Sequence, residues 1–356
     1  MQTKVLLIGL AAVVLATRAL TAATRAAELA RCEKELDARA ATMSKDALFT
    51  ARVRRHALKT SEAPRRLSIK DRVFVWGYML DSVPTECPFV FWRTRCSLEN
   101  GADDLGAERL VYMNSMFNRE YVRTAFPYWS AECCSNCVDN RLSPAHLARL
   151  GRFGTVYCAL EHHNQVESGR RIARLSLDHP NIAGINIDDF NIVHTNGLDF
   201  WTMDGLRNFR AELLVINPKL KIMAVSYSSN SPQYVDMSPS RGLVDIYSRW
   251  CWKVSPDYWK DYRADIAKLR AQVGPEPKIV QGIYINDFGS SMQSREPVPM
   301  DVFQLSVRTI CEGIRDGIVD GLIVPQTGWF DSPKHRGHVI WLRNYLDGFD
   351  AAPARD

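Results

Sequence analysis

The chain is 356 residues long, carries a formal charge of only +5 and contains nine cysteines. So mild a charge points away from bulk attraction to nucleic acid, and no nucleic-acid-binding module is legible. The cysteine count is high for an intracellular enzyme and fits an exported one.

Residues 1–23 read as an export signal. Lys4 precedes an apolar stretch from Val5 to Ala16, and Thr21 and Ala23 set up cleavage after Ala23. The stretch is short for a bilayer span and Arg18 follows it closely, so cleavage is preferred over an uncleaved anchor. No second long apolar run follows. The expected product is secreted or periplasmic, without stable membrane insertion once the signal is removed. Residues 24–70 form a charged lead-in of high helix propensity, notably Ala26 to Ala41. Its basic residues (Arg52, Arg54, Arg55, Arg65 and Arg66) suit a solvated helical face.

From residue 71 to 350 the rhythm changes. Eight apolar runs read as strands: Val73–Tyr78, Arg109–Met113, Thr155–Leu160, Ile182–Asp188, Lys221–Tyr227, Leu243–Tyr247, Lys278–Ile285 and Gly321–Pro325. They are rich in Val and Ile and nearly continuous, as parallel strands covered on both faces must be. Helical patterns alternate with them at Ala145–Leu150, Val166–Leu177, Met203–Val215, Asp257–Val273 and Asp301–Arg315, and from Ser332-Pro333 through Leu346. Ser143-Pro144, Ser255-Pro256 and Ser332-Pro333 each supply a capping hydroxyl followed by a proline suited to the first helical position. The first and fifth crossovers show no long helix. The pattern predicts an α/β fold, a single (β/α)8 TIM barrel with an N-terminal helical extension. An open doubly wound sheet is the alternative, but the Gly-rich phosphate loop it normally carries is missing.

Cys87 and Cys96 flank one loop, and Cys133, Cys134 and Cys137 crowd another. Disulfide staples are expected there. Cys134-x-x-Cys137 also has zinc-ligand spacing, without a second ligand pair nearby. Cys158 and Cys311 lie in apolar stretches and read as buried thiols.

In β/α barrels, catalytic groups sit where strands end. The strand ends here collect Trp76, Tyr78 and Asp81; Asn114; Glu161, His162 and His163; Asn186, Asp188 and Asp189; Tyr227; Arg249, Trp250 and Trp252; Tyr284, Asn286 and Asp287; and Gln326 through Trp329. Flat aromatic rings suit the C–H faces of sugars, while Asn, Gln and Asp suit ring hydroxyls. Glycosidic cleavage needs two carboxyl groups, one of them protonated. Asp188 and Asp189 are adjacent, so their repulsion raises one pKa and retains a proton to donate. Asp287, on strand seven, is the candidate nucleophile or water-activating base. Alternation puts Asn186 and Asp188 toward the lumen and Asp189 at the rim. Asp287-Phe288-Gly289 also reads as a simple turn.

The expected catalytic residues are therefore Asp188, Asp189 and Asp287. Trp76, Tyr78, Asn114, Glu161, Asn186, Tyr227, Arg249, Trp250, Tyr284, Asn286, Gln326 and Trp329 are expected to hold a poly- or oligosaccharide. No cofactor is required. Two alternatives remain: a barrel that binds carbohydrate without cleaving it, and a metal-dependent hydrolase using His162 or His163 with the two acids.

Gly184-Ile185-Asn186-Ile187-Asp188 is similar to the Gly-Ile-Asp-Ile-Asp start of the strand-four motif of family 18 chitinases. That motif continues with an aromatic residue and the catalytic Glu, where this chain has Asp189 and Phe190. Phe190 cannot transfer a proton, so the resemblance implies a glycoside hydrolase-like barrel without the chitinase mechanism. Glycosidases with acids on strands four and seven are a further analogy, although those acids are typically both Glu. The stretch from Tyr284 through Gln304 to Gly321 also resembles uncharacterised exported bacterial barrels.

Overall fold

A computed structural model of the chain describes residues 27, 28, 30, 31, 34, 68–79, 96–113, 142–161, 164–190, 201–251, 255–288, 296–325, 327–330 and 332–351. The chain divides into two compact units, residues 1–67 and 68–356. In the first unit the described residues are helical, and Arg31 pairs with Glu28 at 2.8 Å. The expected export signal lies outside the described residues. No helix among the described residues is long and apolar enough to cross a membrane.

The second unit is a closed barrel of eight parallel strands in sequential order, with the eighth pairing back to the first. The strands are β1 (Val73–Gly77), β2 (Arg109–Tyr112), β3 (Thr155–Ala159), β4 (Ile182–Ile187), β5 (Lys221–Tyr227), β6 (Ile246–Trp250), β7 (Lys278–Gly282) and β8 (Gly321–Pro325). Around them run α1 (Leu98–Leu105), α2 (Pro144–Leu150), α3 (Gln165–Asp178), α4 (Met203–Ile216), α5 (Pro256–Val273), α6 (Met300–Arg315) and α7 (Arg336–Ala351). Strand interiors such as Val75, Leu110, Val156, Ile185, Ala224, Ile279 and Val324 are sealed from solvent. Covering both faces of the sheet makes continuous Val and Ile runs favourable there.

Capping follows the local sequence. The Ser143 hydroxyl accepts the His146 N–H at 3.1 Å, Ser255 accepts the Asp257 N–H at 3.3 Å, and Thr202 accepts the Gly205 N–H at 3.0 Å. Ser332 behaves differently. Its hydroxyl bonds His335 Nδ1 at 2.8 Å, residues 332–335 form a turn, and the last helix starts only at Arg336. The first crossover holds the short α1. The fifth has a 3-10 turn, Ser238–Ser240, where a helix would normally stand.

Strand six lies three residues later than expected. Leu243 and Asp245 are drawn into an entry turn by Arg210 on α4, which pairs with the Asp245 carboxylate at 2.7 and 2.9 Å and bonds the Leu243 carbonyl at 3.0 Å. The strand therefore starts at Ile246 and includes Arg249 and Trp250. Among the described residues no disulfide is formed: Cys96, one end of an expected loop staple, is buried and unbridged, as are Cys158, Cys251 and Cys311. Cys87, Cys133, Cys134 and Cys137 lie outside the described residues.

Candidate active site

Strand register fixes which side chains share the lumen. Trp76 is level with Pro325 and Val111, Asn186 with Ala159 and Met223, and Tyr227 with Trp250. Residues in register point the same way, so successive even steps along each strand climb toward the C-terminal mouth. An aromatic wall stands there. The Trp76 and Trp250 rings meet edge-on with centroids 5.5 Å apart, and Trp250 lies 5.1 Å from Tyr284.

Gly282 makes room for that wall. A Cβ at Gly282 would sit 2.2–2.4 Å from three ring atoms of Trp250. Gly282→Ala should therefore displace the Trp250 ring and cost about 1–3 kcal/mol of stability through overpacking. Thermal unfolding and tryptophan fluorescence check this, and unchanged values for both would refute the close packing.

The acids sit at the end of β4. Asp188 follows Asn186 on the lumen side and is half-buried, while Asp189 is exposed at the rim, as strand alternation requires. The Asp189 N–H donates to Asp188 Oδ1 at 2.9 Å. This tight turn puts Asp189 at φ +43°, a left-handed conformation shared by no other non-glycine residue among the described ones. Asp tolerates that region better than most side chains, and such local strain concentrates at functional sites. The Tyr227 hydroxyl donates to Asp189 Oδ1 and fixes this carboxylate against β5.

Burial is the largest influence raising the Asp188 pKa well above the ordinary carboxylate value. The Asp189 carboxylate adds to it, and the Asp189 N–H opposes it. The same field reaches the phenols. Burial first, then Asp189, Tyr284 and Asp188, pushes the Tyr227 hydroxyl well up, and burial with Asp189 and Asp188 does the same to Tyr284. Beneath the acids, Asn186 is fully buried, and both polar atoms of its amide lack a hydrogen-bond partner among the described residues. A buried amide so placed favours a polar ligand group reaching down past Asp188. Asp188, Asp189, Tyr227 and Tyr284 thus share one electrostatic neighbourhood beside Trp250.

Several expected contacts are used elsewhere. Arg249 belongs to β6 and faces outward, so the expectation that it lines the mouth is corrected. It is sealed from solvent, pairs with Asp265 of α5 at 2.7 and 2.8 Å, and donates to the Tyr227 carbonyl. Glu161 pairs with Arg171 of α3, and its N–H donates to the Ser168 hydroxyl at 3.2 Å. Asn286 is fully buried and its Oδ1 meets His335 Nε2 at 3.0 Å. Trp329 is buried against that same His335, with ring centroids 4.5 Å apart. Burial is the largest influence pulling His335 down to about 4, which keeps the ring neutral between Asn286 and Ser332. Asn286 and Trp329 therefore tie β7 and β8 to the start of α7.

Asp287 lies in a short antiparallel return, its N–H donating to the Glu296 carbonyl at 2.9 Å beside the Asn286–Pro297 bridge. The charges acting on Asp188, Tyr227 and Tyr284 include one or both strand-four acids. Tyr78 is half-buried and its carbonyl accepts the Leu98 N–H at 2.7 Å. Asp81, Asn114, His162, His163, Trp252 and Gln326 lie outside the described residues. No cluster of three metal-ligating side chains occurs among the described residues.

Two supports were not anticipated. Ser248 accepts the Trp250 indole N–H at 3.2 Å and orients the ring from below. Asp265 neutralises Arg249, and the signal for it was present: an acidic residue on the helix face that also carries Tyr258, Tyr262, Ile266 and Leu269.

No protein-family model matches the chain, and no curated protein matches it in sequence. Among solved structures it is similar to an alpha-amylase from Lactobacillus plantarum, with 8% identity, a TM-score of 0.45, and 79% of this chain and 80% of that one covered. It is also similar to the Group IV chitinase of Ostrinia furnacalis, with 9% identity, a TM-score of 0.44, and 78% and 100% covered. A third is the catalytic domain of the major endoglucanase of Xanthomonas campestris, with 11% identity, a TM-score of 0.44, and 79% and 95% covered.

Proposed function

We propose that the C-terminal mouth of this barrel hydrolyses a glycosidic bond in a poly- or oligosaccharide. The observation that carries the reading is the acid pair: at Asp188 a carboxyl whose pKa is raised by burial and by Asp189, joined to a Tyr227-bound carboxyl group at Asp189, beside the Trp76–Trp250–Tyr284 wall. Asp188 donates its proton to the glycosidic oxygen as the C–O bond breaks. Asp189 takes a proton from the water whose oxygen bonds to the anomeric carbon. The aromatic wall supplies apolar surface for sugar rings, and the Asn186 amide supplies hydrogen bonds to a hydroxyl. Asp287 is the reserve for the second carboxylate, on a segment leading away from β7.

The test is product release from a broad panel of glycans, followed by Asp188→Asn, Asp189→Asn and Asp287→Asn on the substrate found. Loss of about 10²-fold or more in turnover is expected for Asp188→Asn and Asp189→Asn, with a small effect for Asp287→Asn. Loss confined to Asp188→Asn and Asp287→Asn would transfer the second role to Asp287. Saturable glycan binding with no product from the unaltered protein would replace catalysis by binding.

A further inference from the structure

The opposite end of the barrel carries a separate concentration of charge. Arg109, Lys221 and Lys278 are the first residues of β2, β5 and β7, and Arg72 closes the 3-10 turn (Ile69–Arg72) immediately before β1. Register sets Arg109 level with lumen-facing Phe74, Lys221 level with Gly184, and Lys278 level with Ile246. All three strand-start cations therefore project on the lumen side. Strands β2, β5 and β7 are not neighbours in the sheet, so their side chains come together only across the N-terminal opening.

They do come together. The Arg109 guanidinium is half-buried and lies 5.5 Å from the Phe74 ring centroid. Burial first, then Arg109, pushes the Lys278 ammonium down; Lys221 and Arg72 add to this, and Asp320 opposes it. Arg109 is itself pulled down by burial, with Arg72 adding and Tyr157 and Asp71 opposing.

The nearby carboxylates are engaged elsewhere. Asp71 accepts the Ser68 N–H at 2.8 Å, Asp245 holds Arg210 and the Ile222 N–H, and Asp320 accepts the Ile279 N–H at 2.9 Å and faces Arg270 at 3.8 Å. Among the described residues, none of the four cations forms an ion pair or a side-chain hydrogen bond. Converging cations whose neighbouring carboxylates are bonded elsewhere repel one another in a partly desolvated ring, and an anion placed among them lowers that cost.

We propose that the N-terminal mouth of the barrel binds a multivalent oxyanion of the phosphate or sulfate type, through the Arg109 guanidinium and the charges of Arg72, Lys221 and Lys278. Arg109 offers a planar fork for two oxygens, and the lysines offer mobile point charges. The site is independent of the acid pair at the other end.

Calorimetric titration of the full chain at constant ionic strength tests the proposal, with inorganic phosphate as the free ion and glucose 6-phosphate as its ester-borne form. One saturable site is expected, weakened about tenfold by Lys221→Gln and again by Lys278→Gln. Both lysines are exposed strand-start positions, so thermal unfolding without the anion at or above the midpoint of the unaltered protein should confirm that these variants fold. Tighter binding of glucose 6-phosphate assigns the site to an ester-borne group, and equal or weaker binding assigns it to the free ion. No saturable heat from either probe, or equal binding by the unaltered protein and both variants, overturns the proposal.

Discussion

Asp188→Asn should lower turnover by about 10²–10⁴-fold while making the protein more stable at neutral pH. The two effects share one cause. Burial, with Asp189 adding, raises the Asp188 pKa well above the ordinary value. In the unfolded chain an Asp titrates near ~3.9. Between that value and the higher folded one, the folded state holds a proton that the unfolded state has released, so stability falls as pH rises through this window. Above the folded pKa the loss is complete. Asn carries no such penalty, and its side-chain oxygen still accepts the Asp189 N–H that bonds Asp188 Oδ1.

The unfolding midpoints of the variant and the unaltered protein should therefore coincide below about pH 4 and separate as pH rises, by about 2 °C or more near neutrality. Thermal unfolding across pH 3–8 measures the separation. A constant difference over that range would show that Asp188 does not retain its proton on folding. A stable variant with full turnover would remove Asp188 from the chemistry.

Much of this geometry was legible in the sequence because it depends on short-range pattern. β-branched runs marked all eight strands, and two-residue alternation separated lumen-facing Asp188 from rim-facing Asp189. What stayed hidden depends on partners far along the chain. Arg249 reads as a rim residue if strand six begins at Leu243; it begins at Ile246 because Arg210, on a preceding helix, captures Asp245. Glu161 ends a strand as a substrate contact would, but α3 brings Arg171 onto it. Asn286 and Trp329 looked like sugar contacts until the turn before α7 placed His335 between them. Polar strand-end residues are ambiguous for this reason: a helix on the outer face can satisfy them as well as a ligand can.

The buried pair behind β6 should have the largest single effect on stability. Arg249 and Asp265 have side chains 1% and 6% exposed. Their paired bonds are 2.8 and 2.7 Å, and Asp265 also accepts from the Ser229 N–H and hydroxyl at 3.0 Å and from Tyr258 at 3.2 Å. Burial is the largest influence on Asp265 and pushes its pKa up, but the bonding and charge of Arg249 with the Ser229 donors outweigh it and leave the pKa below the ordinary value. A depressed carboxylate contributes stability that is complete above the unfolded pKa and disappears as pH falls through the folded one.

Asp265→Asn strands the Arg249 guanidinium in the interior and should cost about 3–5 kcal/mol at pH 7. Arg249→Met strands the carboxylate and should cost a similar amount. The double variant Arg249→Met, Asp265→Leu buries neither charge and should recover most of the loss, since an apolar replacement of a buried pair is often close to neutral. Urea unfolding of these proteins, together with the single variant Asp265→Leu, closes the cycle. At pH 3 the advantage of the unaltered protein over Asp265→Asn should narrow, because the carboxylate is then partly protonated. A loss below about 1 kcal/mol in Asp265→Asn, or a double variant as unstable as the sum of the singles, would mean that the pair is not coupled. Arg249 also holds the Tyr227 carbonyl, and the Tyr227 hydroxyl holds Asp189. Arg249→Met should therefore disturb the acid pair from behind the sheet, lowering turnover even at temperatures where the variant remains folded.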